Sequence, residues 1–155
     1  MSLAELKQEA ERLTPTERRH LTAHLLALDR KSDPGFKQRL AEKIDDKTPG
    51  RWVVLEDAEK HLRESSAGLM RYRLLIDIEI VGLLHALPPG QRRNLLCHFG
   101  EIQRYPAAHS DYTDTDAQGR RVDVSVTDGF AIYYWIDEAD QHVKILELIA
   151  ADKRT

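Results

Sequence analysis

Only one cysteine, Cys97, occurs among the 155 residues, so no intrachain disulfide can staple the fold. Cys97 stands among Leu95, Leu96 and Phe99 in a helical pattern, which predicts a thiol in the core. Long hydrophobic runs are also missing. No stretch approaches the ~20 apolar residues that span a bilayer, and no positive segment followed by a hydrophobic core opens the chain in the manner of a signal peptide. A cytoplasmic protein without a membrane partner is expected. An excess of positive charge is lacking as well. Residues 1–69 hold 13 Lys+Arg and 13 Asp+Glu, leaving 23 − 13 = 10 and 26 − 13 = 13 for residues 70–155, so the balances are 0 and −3. Most non-specific affinity for nucleic acid comes from neutralising phosphates, which argues against a basic clamp in either half.

What is present falls into two unlike parts, joined near Met70, an internal methionine that could serve as a second start. Residues 1–64 read as short capped helices, residues 65–69 as a linker centred on Ser65 to Gly68, and residues 70–155 as a small complete domain. Ser2 and Glu5 form a capping box, and Thr14 with Glu17 repeats it, with Pro15 at the first helical position where its missing N–H costs nothing. Leu3, Leu6, Ala10 and Leu13 share one face of the first helix, and Leu21, Leu25 and Leu28 are expected to point inward from the second. Asp33 and Pro34 start a third helix with a narrow apolar stripe, Phe36, Leu40 and Ile44. Trp52 to Val54 is extended, and Leu55, Ala58 and Leu62 line a last amphipathic segment. These stretches hold too few hydrophobes to make a core together. Phe36, Leu40, Ile44, Trp52, Val54, Leu55 and Leu62 are therefore expected to lie against a partner surface, the alternative being a small helical bundle plugged by Trp52.

The second part reads as strand, helix, helix and a three-stranded antiparallel meander, an α+β arrangement. Tyr72 to Ile76 is the first strand. Asp77 caps a helix carrying Ile80, Leu83, Leu84 and Leu87, and a second helix from Gln91 to Arg104 buries Leu95, Phe99 and Ile102. Ala107 to Gln118 is a polar loop. Val122, Val124 and Val126 alternate with Asp123, Ser125 and Thr127 as a strand should. Asp128 and Gly129 turn the chain. Phe130 to Ile136 has no alternation and is expected to be covered on both faces, and His142 to Ile149 closes the meander.

This order, with the Gln91 to Arg104 helix, Gly119-Arg120-Arg121, the strand Phe130 to Asp137 and the segment Val143 to Ile149, resembles the RelE/ParE-like toxins of bacterial type II toxin–antitoxin modules. Leu13 to Arg18 and Trp52 to Asp57 resemble the small helical antitoxins of such addiction modules. The resemblance implies a fused pair in which the first half binds and neutralises the second, in cis or swapped within a homodimer. It implies as alternatives a ribosome-dependent endoribonuclease held inactive in cis, with the ribosome and mRNA as partners, or a ParE-like poison of gyrase. The family pattern places an arginine just before an Ile-Tyr pair, where this chain has Ala131, and a basic pair after the last strand, where it has Lys153 and Arg154.

Cleaving RNA through its own 2′-OH needs a base, an acid and a cation for the charged intermediate, for which the candidates are His142, Tyr134, Arg120, Arg121 and Arg154. Against them stand the acidic balance of this half, the buried pattern around Tyr134 and the ordinary use of arginine to protect strand edges. No cofactor or metal is expected. His20 and His24 share a helical face but have neither an intervening Glu nor a third ligand, and Asp111, Asp114 and Asp116 lack the register of a calcium loop. Arg18-Arg19 and Arg92-Arg93 suit a solvated surface or an acidic contact. Asp137 to Lys144 is the densest polar cluster and follows the aromatic run Tyr133 to Trp135, so a site distinct from nuclease chemistry is sought there. A repressor role for the first half is disfavoured by its zero balance and its lack of a helix-turn-helix or ribbon signature.

Overall fold

The computed structural model describes residues 1–60, 72–127 and 129–151. Leu62, the linker at residues 65–69, Met70, Asp128, Lys153 and Arg154 lie outside the described residues. The fold is α+β. Its elements, in order, are α1 (Leu3–Glu11), α2 (Pro15–Arg30), α3 (Pro34–Asp45), β1 (Trp52–Val54), α4 (Leu55–Lys60), β2 (Arg73–Asp77), α5 (Ile78–Ala86), α6 (Pro89–Arg104), β3 (Tyr112–Thr115), β4 (Arg121–Thr127), β5 (Phe130–Asp137) and β6 (His142–Ala150).

Local chemistry sets the helix starts. The Ser2 hydroxyl accepts from the Glu5 N–H and the Glu5 carboxylate from the Ser2 N–H, and Thr14 and Glu17 exchange the same pair of bonds. Asp33 accepts from the Gly35 and Phe36 N–H groups ahead of Pro34, and Asp77 caps α5 through the Glu79 N–H. Each bond satisfies a donor that the helix cannot satisfy itself. Gly129 takes a φ of +84° at the β4–β5 turn, a conformation open to glycine at no steric cost.

The strands form one sheet in the order β1-β2-β6-β5-β4-β3, in which β2 and β6 run parallel and every other neighbouring pair antiparallel. The expected three-stranded meander is thus half of the sheet. β1 adds a strand from the first half to the edge of β2, with Trp52 opposite Asp77 and Val54 opposite Leu75. β3 arises inside the stretch expected to be loop. Its strand character comes from partnership with β4, where Tyr112 lies opposite Val124 and Asp114 opposite Val122, and not from its own polar sequence.

Both faces of the sheet are covered. On one, α4, α5 and α6 bring Leu55, Ile80, Leu84, Leu95, Phe99 and Ile102 onto Leu74, Ile76, Ile132, Tyr134, Val143 and Ile145. On the other, α2 and α3 bring Ala23, Ala27, Phe36, Leu40 and Ile44 onto Val122, Val124, Tyr133, Leu146 and Ile149. That double cover explains why Asp123 and Ser125, the polar members of the alternation in β4, are buried. A register shift against Tyr133 and Tyr134 inserts an extra residue in β6. It lets Ile145 and Leu148 share one face while Leu146 joins the other.

Three packing expectations are corrected. Leu25 and Leu28 are exposed, and Ala23 and Ala27 are the buried face of α2. The small side chains let the helix backbone come close enough for the Tyr133 hydroxyl to donate to the Ala27 carbonyl at 3.2 Å. Leu83 is exposed, with Ile80 and Leu84 carrying the inward face of α5. Cys97 is exposed, because Leu95, Leu96 and Phe99 occupy the inward positions of α6 around it.

Candidate functional site

Helix α3 lies across the sheet on its Phe36, Leu40 and Ile44 stripe, and the same spacing carries charge into the interface. Lys43 is three residues from Leu40 and seven from Phe36, so it shares their face. It is 6% exposed. Its ammonium donates to the Leu146 carbonyl at 2.6 Å and lies 2.9 Å from Asp77 and 2.8 Å from Glu147. Asp77, fully buried, also receives Arg51 at 2.8 and 2.9 Å. Arg39 reaches Glu147 at 2.9 Å while its guanidinium lies over the Phe36 ring, and Lys37 meets buried Asp114 at 2.6 Å. In every one of these pairs a cation from residues 1–60 meets a carboxylate from residues 72–151.

At the C-terminal end of α3 the polarity reverses. Arg120 donates to Asp45 at 2.7 Å, to Asp116 at 2.7 Å and to the Ala41 carbonyl at 3.3 Å. Lys144 is buried; it donates to the carbonyls of Ile44 and Asp46 at 2.9 and 3.2 Å and sits over the Trp52 ring. The Trp52 indole N–H in turn donates to the Asp46 carbonyl at 2.8 Å. A helix C-terminus carries partial negative charge and unsatisfied carbonyls, which suits it to cations. The hydrogen bond from Arg120 holds the Asp45 carboxyl below its usual value. Burial pushes the Lys144 ammonium down, with Asp46 opposing. At Asp77 burial acts to raise the carboxyl, and the hydrogen bonds from Arg51 and Lys43 outweigh it, leaving the group below its ordinary value.

Of the residues singled out for RNA cleavage, Arg121 and Tyr134 share one face of the sheet, and Arg120 and His142 lie apart from them. Tyr134 is fully buried on the α6 side, its hydroxyl donating to the Pro106 carbonyl at 2.6 Å, and burial raises its pKa far above the ordinary phenol. Arg121 is exposed and paired with buried Asp123 at 2.9 Å. Arg120 is bound to α3, and His142 lies at the β5–β6 turn beside Trp135. Ala131 is buried opposite Ile149. Arg154 is outside the described residues.

Of the expected interface residues, Phe36, Leu40 and Ile44 are buried against the sheet and Trp52 packs at the border of that cluster. Leu55 is buried on the opposite face with α6, and Val54 is half-buried in β1. Residues 1–60 therefore grip both faces and one edge. The roles of Lys43 and Asp77 were missed in the sequence, although the Phe36-Leu40-Lys43 spacing was there to be read. Asp111, Asp114 and Asp116, set aside as polar loop, are structural. Asp111 accepts from the Val126 N–H, and Asp114 and Asp116 hold Lys37 and Arg120.

A second polar locus lies under α6, where His98 Nε2 is 2.7 Å from the buried Ser125 hydroxyl and its ring meets that of His109 edge-on. Burial pushes the His98 imidazole down and His109 adds to this, with Asp111 and Glu101 opposing. An unfolded histidine titrates near 6.5, so between that value and the lower folded one the unfolded chain binds the extra proton. Stability is then full above about pH 6.5 and declines as pH falls through the folded value. The melting temperature should drop across this window, and His98→Asn should flatten the slope; an unchanged slope would show that His98 is not responsible.

Comparison of the chain with protein-family models, with curated proteins and with solved structures finds no match. Among the described residues no helix is long and apolar enough to cross a membrane.

Proposed function

We propose that this chain is a toxin–antitoxin module protein in which residues 1–64, antitoxin-like, bind and neutralise a RelE/ParE-like second half, residues 70–155. The observation that carries this reading is the dependence of the first half on the second for its interior. Ala23, Ala27, Phe36, Leu40 and Ile44 are buried with sheet residues of the second half, and α1 buries no residue at all. A segment built this way has the form of a ligand, combining a helix laid on an apolar surface with a strand added to a sheet edge. Charge points the same way. The anionic end of α3 occupies Lys144 and shares Arg120 with Asp116 of the second half, two cations on the face that the first half covers.

The ribonuclease form of the reading rests on Arg121, which is exposed and paired with Asp123. It expects a freed second half to cut translated mRNA, and Arg121→Ala to abolish cutting. The gyrase form expects inhibition of supercoiling instead.

Residues 70–155 produced without the first half should arrest growth or collect as insoluble protein, because the Val122, Val124, Tyr133 and Leu146 surface is uncovered. Supplying residues 1–69 as a separate chain should restore growth and copurify with its partner. A harmless, soluble, monomeric second half would defeat the proposal.

A further inference from the structure

We propose that Asp137, Asp140 and His142, at the β5–β6 turn, form a binding site for one divalent transition-metal ion of the Zn2+ type. One potential ligand atom from each of the three lies within 4.8 Å of the others. His142 Nε2 and Asp137 Oδ2 are 3.6 Å apart, too far for a hydrogen bond. Two atoms that each sit ~2.1 Å from a tetrahedral ion are roughly 3.4 Å apart, so the gap suits a shared ion.

The independent observation is His142 itself. It is 8% exposed, and among the described residues neither ring nitrogen has a hydrogen-bond partner. Buried polar nitrogens left in that condition are uncommon and costly. An ion on Nε2 would remove the deficit on the side that faces the Asp137 carboxylate. The ring is already held in place by Trp135, edge-on at 5.9 Å, and by strand pairing of its backbone with Asp137 on one side and Arg73 on the other.

The rest of the turn is arranged compatibly. Asp137 Oδ1 accepts from the Asp140 N–H at 3.1 Å, which orients the carboxylate and leaves Oδ2 toward the histidine, as outer partners of metal ligands commonly do. Asp140 is exposed, giving an entry path and room for water at the remaining position. Two carboxylates balance a divalent charge. The nearest competing cation on the strand, Lys144, is drawn away to the Ile44 and Asp46 carbonyls. One imidazole with two carboxylates favours a borderline ion over calcium, which takes six to eight oxygens. A bound ion would brace the β5–β6 turn, whose Gln141 carbonyl accepts from the Arg73 N–H at the start of β2.

The test is titration of the metal-free full chain with Zn2+ by calorimetry, alongside melting curves with and without the ion. One ion per chain and a raised melting temperature are expected. Affinity should fall at least tenfold in His142→Ala and in Asp140→Ala, while His109→Ala binds as the parent does. Copper(II) at the same site should quench tryptophan fluorescence through Trp135, and less so in Asp140→Ala. Because the Asp140 side chain is exposed, that variant decides the matter even if His142→Ala folds poorly. No Zn2+ binding by the parent chain, undiminished binding in Asp140→Ala, or binding lost in His109→Ala would each overturn the proposal.

Discussion

Leu40→Ala should destabilise the whole chain by about 2–5 kcal/mol, the range for deleting a buried leucine side chain without complete collapse of the space it leaves. Leu40 is fully buried, and its surroundings come from both halves: α3 on one side, and Val122, Val124, Tyr133 and Leu146 of the sheet on the other. Such a loss is a large share of the ~5–15 kcal/mol that holds a typical domain together. The measurement is a urea titration followed by far-ultraviolet circular dichroism and tryptophan fluorescence. Both signals should shift together, since the helices and the sheet share one interior. If the variant lost helix first and kept an unchanged sheet transition, the two halves would be independent, and the reading of the first half as a ligand for the second would fail. The equivalent change at exposed Leu25 should stay within about 0.5 kcal/mol.

Lys43→Ala should be nearly as damaging, for a different reason. The ammonium is buried between Asp77, which is fully buried, and Glu147, and removing one partner of a buried pair costs about 3–5 kcal/mol because the other charge is left without compensation. Arg51 still reaches Asp77 and Arg39 still reaches Glu147, which places the expected loss near 3 kcal/mol, the lower end of that range. Pairing Lys43→Met with Asp77→Asn should recover only a small part of it, since the buried carboxylate is neutralised but Arg51 then loses its shortest ion pair. The exposed pair Arg12–Glu9 offers the contrast: Arg12→Ala should cost at most about 1 kcal/mol. Chemical denaturation of the three variants separates the cases, and a Lys43→Ala cost no larger than that of Arg12→Ala would mean that the network contributes nothing.

The helix starts were legible because they depend on neighbours in the chain: Ser2 with Glu5, Thr14 with Glu17, Asp33 before Pro34 and Asp77 before Ile78 each close a local hydrogen bond. The run from Phe130 to Ile136 announced a covered strand for a similar reason, since it lacks a polar period. The apolar stripe of α3 announced that it needed a partner. The inward face of α2 was misread because leucines are the larger hydrophobes, whereas a helix pressed against Tyr133 needs the small Ala23 and Ala27. β3 was missed because Tyr112 to Thr115 becomes a strand only by pairing with β4. The separation of Arg120 and His142 from Arg121 and Tyr134 was equally hidden, because alternate residues of a strand face opposite sides and only the completed sheet fixes which side each helix covers.

By itself the sequence determined the local elements, the α+β class and the shortage of apolar surface in the first half, all of which follow from interactions within a few residues. The tertiary structure alone decided that Lys43 enters the interface to meet Asp77, that Asp45 takes Arg120, and that β1 closes onto β2. The physical reason is that a buried charge is tolerated only beside a partner, and these partners lie tens of residues away along the chain, where neither period nor propensity reports them.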